Sequence, residues 1–127
     1  MELNALTGLI IGCAIEIHSE LGPGMLESSY ETCLQYELKN KGLKVKRQMG
    51  LPLVYKELFL EHGYRLDLLV EDRVIVEVKF TESISDIHIA QCLTYLQLSK
   101  AEIGLILNFN VLKMTTGIKR VIPRTPR

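Results

Sequence analysis

Nine residues separate Asp67 from Glu77, and Lys79 follows two positions later. The stretch reads Tyr64-Arg65-Leu66-Asp67-Leu68-Leu69-Val70, Glu71-Asp72-Arg73, Val74-Ile75-Val76-Glu77-Val78-Lys79-Phe80. Two apolar runs flank a short charged segment, and each run carries ionisable residues where packing alone would prefer Val or Ile. Burying a carboxylate or an ammonium is costly unless the group is paired or meets a cation. Two acids and a lysine on neighbouring strands therefore suggest a site for a hard cation.

The loop length decides whether they meet. Strand side chains alternate with period two, so Glu77 and Lys79 share a face. If Glu71-Asp72-Arg73 is the loop, Val70 pairs with Val74, Asp67 falls opposite Glu77, and Arg65 falls opposite Lys79. Side chains facing each other across two strands have Cβ atoms roughly 5 Å apart. Carboxylates that close repel unless a cation lies between them, and Mg²⁺ or Mn²⁺ suits oxygen donors of this kind. A two-residue loop would slip the register and send the acids to opposite faces. The alternative is a surface hairpin with an ordinary charged ladder; the Leu, Val and Ile on both strands argue instead for a buried sheet.

The surrounding pattern predicts the elements that must hold this hairpin. Leu6, Leu9, Ile10, Cys13, Ala14 and Ile17 recur at helical spacing and give a first helix to about Glu20, broken by Gly22-Pro23-Gly24. Leu26, Tyr30, Cys33, Leu34 and Leu38 give a second, stopped at Gly42. Leu43 to Gln48 reads as an edge strand, Leu51 to Tyr55 as another, and Glu61-His62-Gly63 as a turn before the hairpin. Ser85 or Asp86 caps a third helix to about Ser99. Ile103 to Phe109 is an apolar strand buried on both faces, fit for a parallel pairing. Lys113 to Val121 reads as a short last strand, and Pro123 and Pro126 leave residues 122–127 irregular.

Two helices offer company to the acids. His88, Gln91 and Tyr95 share one stripe of the third helix, while Ile89, Leu93 and Leu96 form a separate apolar one. Gln91 and Tyr95 could then reach Lys79 or a phosphate; for His88 a half-exposed polar stripe explains enough. Glu27 is either a third acid at the cation or a first-turn carboxylate facing the helix dipole.

A chain of 127 residues with 47% hydrophobic content is read as one domain, 1–127, with a real core. No apolar run approaches the roughly 20 residues of a membrane span. The start Met1-Glu2-Leu3-Asn4 lacks the basic region of a signal peptide, so a soluble, cytoplasmic protein is expected. Cys13, Cys33 and Cys92 are far apart and have no zinc spacing, which makes them reduced, largely buried residues. Net charge is zero, yet residues 1–38 hold six acids and no Lys or Arg. Lys39, Lys41, Lys44, Lys46 and Arg47 then cluster, and Lys113 to Arg127 carries five cations and no acid. Such patches either follow a phosphate backbone or are solvated faces.

Gly24-Met25-Leu26-Glu27-Ser28-Ser29-Tyr30 fits G-x-x-E-x-x-Y. The chain resembles the small bacterial proteins of the GxxExxY family, assigned to the PD-(D/E)XK nuclease-like superfamily. The likeness extends through Leu51-Pro52-Leu53-Val54-Tyr55, the hairpin, Ile87-His88-Ile89-Ala90-Gln91 and Gly104-Leu105-Ile106-Leu107-Asn108-Phe109. It implies an α/β (mixed-sheet α+β) restriction-endonuclease-like core. It implies that Asp67 and Glu77, with the Val78 carbonyl, hold Mg²⁺ or Mn²⁺, with Glu27 acting through a water. Lys79 matches the lysine of E-x-K, and Gln91 and Tyr95 match a Q-x-x-x-Y helix motif of RecB-like exonuclease branches. Leu66 stands where the superfamily pattern has Pro, a position that contributes no ligand. The expected activity is metal-dependent hydrolysis of phosphodiesters in DNA, by a homodimer or beside a partner protein. The alternative is a non-catalytic nucleic-acid-binding or accessory module with the same fold.

Overall fold

The apolar stripes predicted at the start of the chain become two helices that wall one core. In the computed structural model, which describes residues 1–124, α1 (Leu3–Leu21) buries Leu6, Ile10, Cys13, Ala14 and Ile17. It stops at Gly22, which lies at φ 68° in the left-handed region that glycine tolerates. α2 (Glu27–Asn40) buries Tyr30, Glu31, Leu34 and Leu38. Both helices cover one face of a five-stranded sheet.

The strands are β1 (Val45–Tyr55), β2 (Leu58–Val70), β3 (Val74–Lys79), β4 (Ile103–Asn108) and β5 (Ile118–Val121), joined in the order β1-β2-β3-β4-β5. α3 (Asp86–Ser99) crosses from β3 to β4 over the opposite face. That crossover makes β3 and β4 parallel, as the doubly apolar β4 predicts; every residue of β4 is buried. A single 3₁₀ turn, Met114–Gly117, precedes β5, so the last predicted strand is shorter than expected. One core lies between the sheet and α1/α2 and contains Leu68, Val76, Val78, Leu105 and Phe109. The other lies under α3 and contains Leu66, Leu69, Ile75, Cys92, Leu96 and Ile106.

Two sequence expectations are corrected. The separate strands Leu43–Gln48 and Leu51–Tyr55 are one strand, β1, with a register shift between Leu51 and Leu53. Glu61-His62-Gly63 is not a turn but part of β2; the reversal falls at Lys56-Glu57, where Lys56 adopts φ 53°. The glycines that imitate turn signals serve close approach instead. A Cβ on Gly50 would sit 2.2 Å from His62 Nδ1, and one on Gly63 would sit 2.4 Å from Leu53 Cβ.

The β2–β3 connection has the odd length that the acids require. Glu71 and Asp72 both adopt positive φ, and the Arg73 amide donates to the Val70 carbonyl at 3.0 Å. Val70 pairs with Val74, Leu69 with Ile75 and Leu68 with Val76. There the β2–β3 ladder ends, while β1 and β2 continue together as a hairpin past the end of β3.

The ladder ends at a change of facing. Leu68 packs in the α1/α2 core and Leu66 in the α3 core, although strand residues two apart ordinarily share a face. On β1 the same reset separates Val45, against the α1/α2 core, from Met49, against the α3 core. Arg47 pairs with Leu68 and Met49 with Leu66, so Gln48 and Asp67 face each other outside the regular pairing. Gln48 has φ 53°.

Candidate active site

Continuing the β2–β3 register one step places Asp67 opposite Glu77, and the two are cross-stitched. The Asp67 amide donates to Glu77 Oε2 at 3.0 Å, and the Val78 amide donates to Asp67 Oδ2 at 2.8 Å. Each acid thus replaces a ladder bond with its side chain. Glu77 is only 6% exposed. Burial, with the Asp67 charge beside it, pushes its carboxyl up to about 8. Burial also lifts Asp67 to about 6; the Val78 amide and Lys79 oppose that rise, and Glu31 and Glu27 add to it. Paired acids with raised, separated proton affinities mark a candidate functional site.

The Val78 amide points toward β2, whereas the Lys79 carbonyl points to β4 and accepts from the Phe109 amide at 2.9 Å. The N–H and C=O of one strand residue project to the same side, so the Val78 carbonyl faces the gap that β2 leaves. Lys79 is half-buried on β3 beside Asn108 of β4, and its ammonium forms no ion pair among the described residues.

The G-x-x-E-x-x-Y stretch locks α2 onto this strand end. Glu27 is exposed at the first position of α2, and its Oε2 accepts from the Phe80 amide at 2.7 Å. Gly24 turns the entry loop at φ 115°. The buried Tyr30 hydroxyl holds that loop, donating to the Gly22 carbonyl at 2.6 Å and accepting from the Met25 amide at 3.1 Å. Its ring stacks on Phe109 at 4.2 Å. Glu27 therefore touches the main chain just after Lys79 and bears on Asp67 through its charge.

From the other face, α3 brings Tyr95 into range. Its ring meets Tyr64 edge-on at 5.6 Å, and burial with the Glu77 and Asp67 charges raises its hydroxyl. Gln91 is exposed on the same helix, and among the described residues neither its side chain nor the Tyr95 hydroxyl hydrogen-bonds to Lys79. His88 serves the helix start: Ser85 Oγ accepts from the His88 amide, and His88 Nδ1 accepts from the Ser85 amide.

Sequence reasoning missed Glu31, Arg47 and Gln48. Glu31 is 5% exposed, and its Oε2 accepts from Arg47 Nε at 2.5 Å. Gln48 Nε2 lies 2.9 Å from both Glu31 oxygens and 3.5 Å from Asp67 Oδ1. The signal was present for Glu31, which falls four residues after Glu27 on the stripe of Tyr30, Leu34 and Leu38. The basic cluster at the start of β1 and just before it is correspondingly spent in part on ion pairs, with Lys44 and Lys46 on Asp72 and Arg47 on Glu31.

A groove of about 380 Å³ between α1 and α2, lined by Ile17, Leu21, Cys33 and Tyr36 among others, contains none of the acid–lysine residues. The chemistry lies at the strand fork instead.

A family model described as the PD-(D/E)XK nuclease superfamily matches residues 4–121. The chain belongs to that superfamily. No curated protein and no solved structure gives a significant match. The mixed sheet with helices on both faces is the restriction-endonuclease-like architecture, and membership supports nuclease-like chemistry and nucleic-acid binding at that level. Superfamily nucleases are typically divalent-metal dependent. No three His, Cys, Asp or Glu among the described residues gather closely enough to cage an ion unaided. The backbone bonds occupy Asp67 Oδ2 and Glu77 Oε2, and the donors on offer here are oxygens, the type that suits an ion keeping several waters, as Mg²⁺ does. Among the described residues, no helix is long and apolar enough to cross a membrane.

Proposed function

We propose that the protein is a divalent-metal-dependent nuclease that hydrolyses phosphodiester bonds in DNA. The carrying observation is the pair Asp67 and Glu77, stitched across the point where β2 parts from β3, with Lys79 on the next residue of the same face. G-x-x-E-x-x-Y, together with the superfamily match, supports the finer reading that this is a GxxExxY protein.

Asp67, Glu77 and the Val78 carbonyl would hold Mg²⁺ or Mn²⁺, with Glu27 contributing through a water. The ion, when bound, supplies an acidified water and polarises the phosphate. Glu77 and Asp67 would hold the ion as carboxylates, giving up the protons that their burial favours. Lys79 orients the attacking water and stabilises negative charge developing on the phosphate. Gln91 and Tyr95, on the α3 side, position Lys79 or the substrate strand.

Plasmid and linear DNA incubated with Mg²⁺ test this. Wild type should cleave, and Glu77→Ala and Lys79→Ala should each lose more than about 100-fold of the rate while keeping their circular dichroism. Equal cleavage by wild type and Glu77→Ala would sink the assignment. DNA binding without divalent-dependent cleavage would point to an accessory module.

A further inference from the structure

Glu31, Arg47 and Gln48 have no part in that mechanism, yet they form a closed polar chain that ends on Asp67. We propose that Gln48, held by Glu31 and Arg47, is a positioning residue that sets the Asp67 carboxylate for its cation. The inference rests on the nuclease reading of Asp67.

Glu31 occupies a place on the buried stripe of α2 where an apolar residue would pack. Both its oxygens are engaged, Oε2 by Arg47 Nε and both by Gln48 Nε2. Arg47 also reaches back to the Ser28 carbonyl at 3.4 Å, and among the described residues it forms no hydrogen bond or ion pair with Asp67. Arg47 thus fastens β1 to the first turns of α2, and the neutral Gln48 amide bonds to both Glu31 and Asp67. An amide nitrogen has two hydrogens to share between two carboxylates and carries no net charge. A lysine or arginine at 48 would neutralise Asp67 and compete with a metal ion. An apolar residue there would leave two carboxylates facing each other.

The backbone adds a second, independent observation. Gln48 is held at φ 53° directly across from Asp67, at a level where both residues leave the β1–β2 pairing. Glutamine has no preference for that conformation, and such strain persists where the surroundings impose it. The local reset turns the Gln48 amide toward Asp67 Oδ1, the oxygen that the main chain leaves unused. Residues that orient a ligand in this way typically change metal affinity 10–100-fold when removed.

The rival is a plain tether of α2 to β1. Mn²⁺ titration by calorimetry, with melting temperatures measured on the same samples, separates the two. Gln48→Gly keeps the left-handed backbone without strain while deleting the amide. It should weaken Mn²⁺ binding by about 10–100-fold with the melting temperature unchanged or raised. Glu31→Gln should weaken binding in the same direction; if it unfolds, the exposed Gln48 position decides alone. Wild-type Mn²⁺ affinity in Gln48→Gly, whatever the melting temperature does, overturns the inference and leaves the nuclease reading intact. Wild type that fails to bind Mn²⁺, or Asp67→Ala that binds as well as wild type, overturns both.

Discussion

Glu77 is a carboxylate in surroundings that suit a carboxylic acid. Its proton affinity is raised from an ordinary 4.5 to about 8, and that of Asp67 from 3.8 to about 6. The folded, metal-free chain therefore keeps protons that the unfolded chain has released. Their stabilising contribution is complete below about pH 4 and is lost as pH rises through about 6 and then about 8. In EDTA, the protein should be more stable at pH 5 than at pH 9 by on the order of a few kcal/mol, and Glu77→Gln should remove much of that difference. Mg²⁺ replaces the protons, so it should raise the melting temperature more at pH 9 than at pH 5. A melting temperature in EDTA that climbs from pH 5 to pH 9 would contradict the buried-acid account. The meeting of these two acids was legible in the sequence because a three-residue loop sets the register that brings Asp67 opposite Glu77; the change of facing between Leu66 and Leu68 was not. Glu31 was overlooked although its place on the stripe of Tyr30, Leu34 and Leu38 pointed inward, because an acid one turn after Glu27 also fits a solvated helix face until Arg47 is seen against it. Gln48 gave no sign, since its side chain does not favour a positive φ.

At the level of elements, α3 was the easiest to place and the β1–β2 hairpin the hardest. Ser85 has the chemistry of a helix cap and acts as one. Gly63 has the chemistry of a turn but lies in a strand because Leu53 occupies the space a Cβ would need. Gly104 makes the same point where it matters to the site. A Cβ there would lie 2.4 Å from Cys92 Sγ, so the Cys92 side chain of α3 rests directly on the β4 backbone. Gly104→Ala should push α3 off the sheet and destabilise the protein by about 1–3 kcal/mol. Adding Cys92→Ala should recover part of that loss in urea denaturation. A single Gly104→Ala that costs nothing would mean the helix is not seated so closely. Because Tyr95 is one turn along from Cys92, the displacement should also reach the acids.

Across the whole molecule, the sheet is stable at its centre and bare at one end. β3 and β4 are covered on both faces, whereas Val54, Tyr55, Leu58 and Phe59 are exposed around the hairpin tip. A two-stranded ribbon without a third strand is marginal in water. Amide hydrogen exchange should therefore be fast from about residue 53 to residue 62 and slowest in β3 and β4. Uniform protection along β2 would show that the tip is covered in solution, as it would be by a second copy or a partner. The layered architecture was legible from the order of apolar patterns; the length of the free ribbon was not, because nothing in Leu58–Leu66 records where β3 stops beside it.

The β2–β3 ladder holds only three residue pairs, Leu68–Val76, Leu69–Ile75 and Val70–Val74, before the strands part. Asp67 is the first residue beyond that seam. Beyond it, β2 is joined to β3 by the bonds of the two acids, Asp67 amide to Glu77 and Val78 amide to Asp67, so the carboxylates that would hold a cation are also the last fastening of the ribbon to the centre of the sheet.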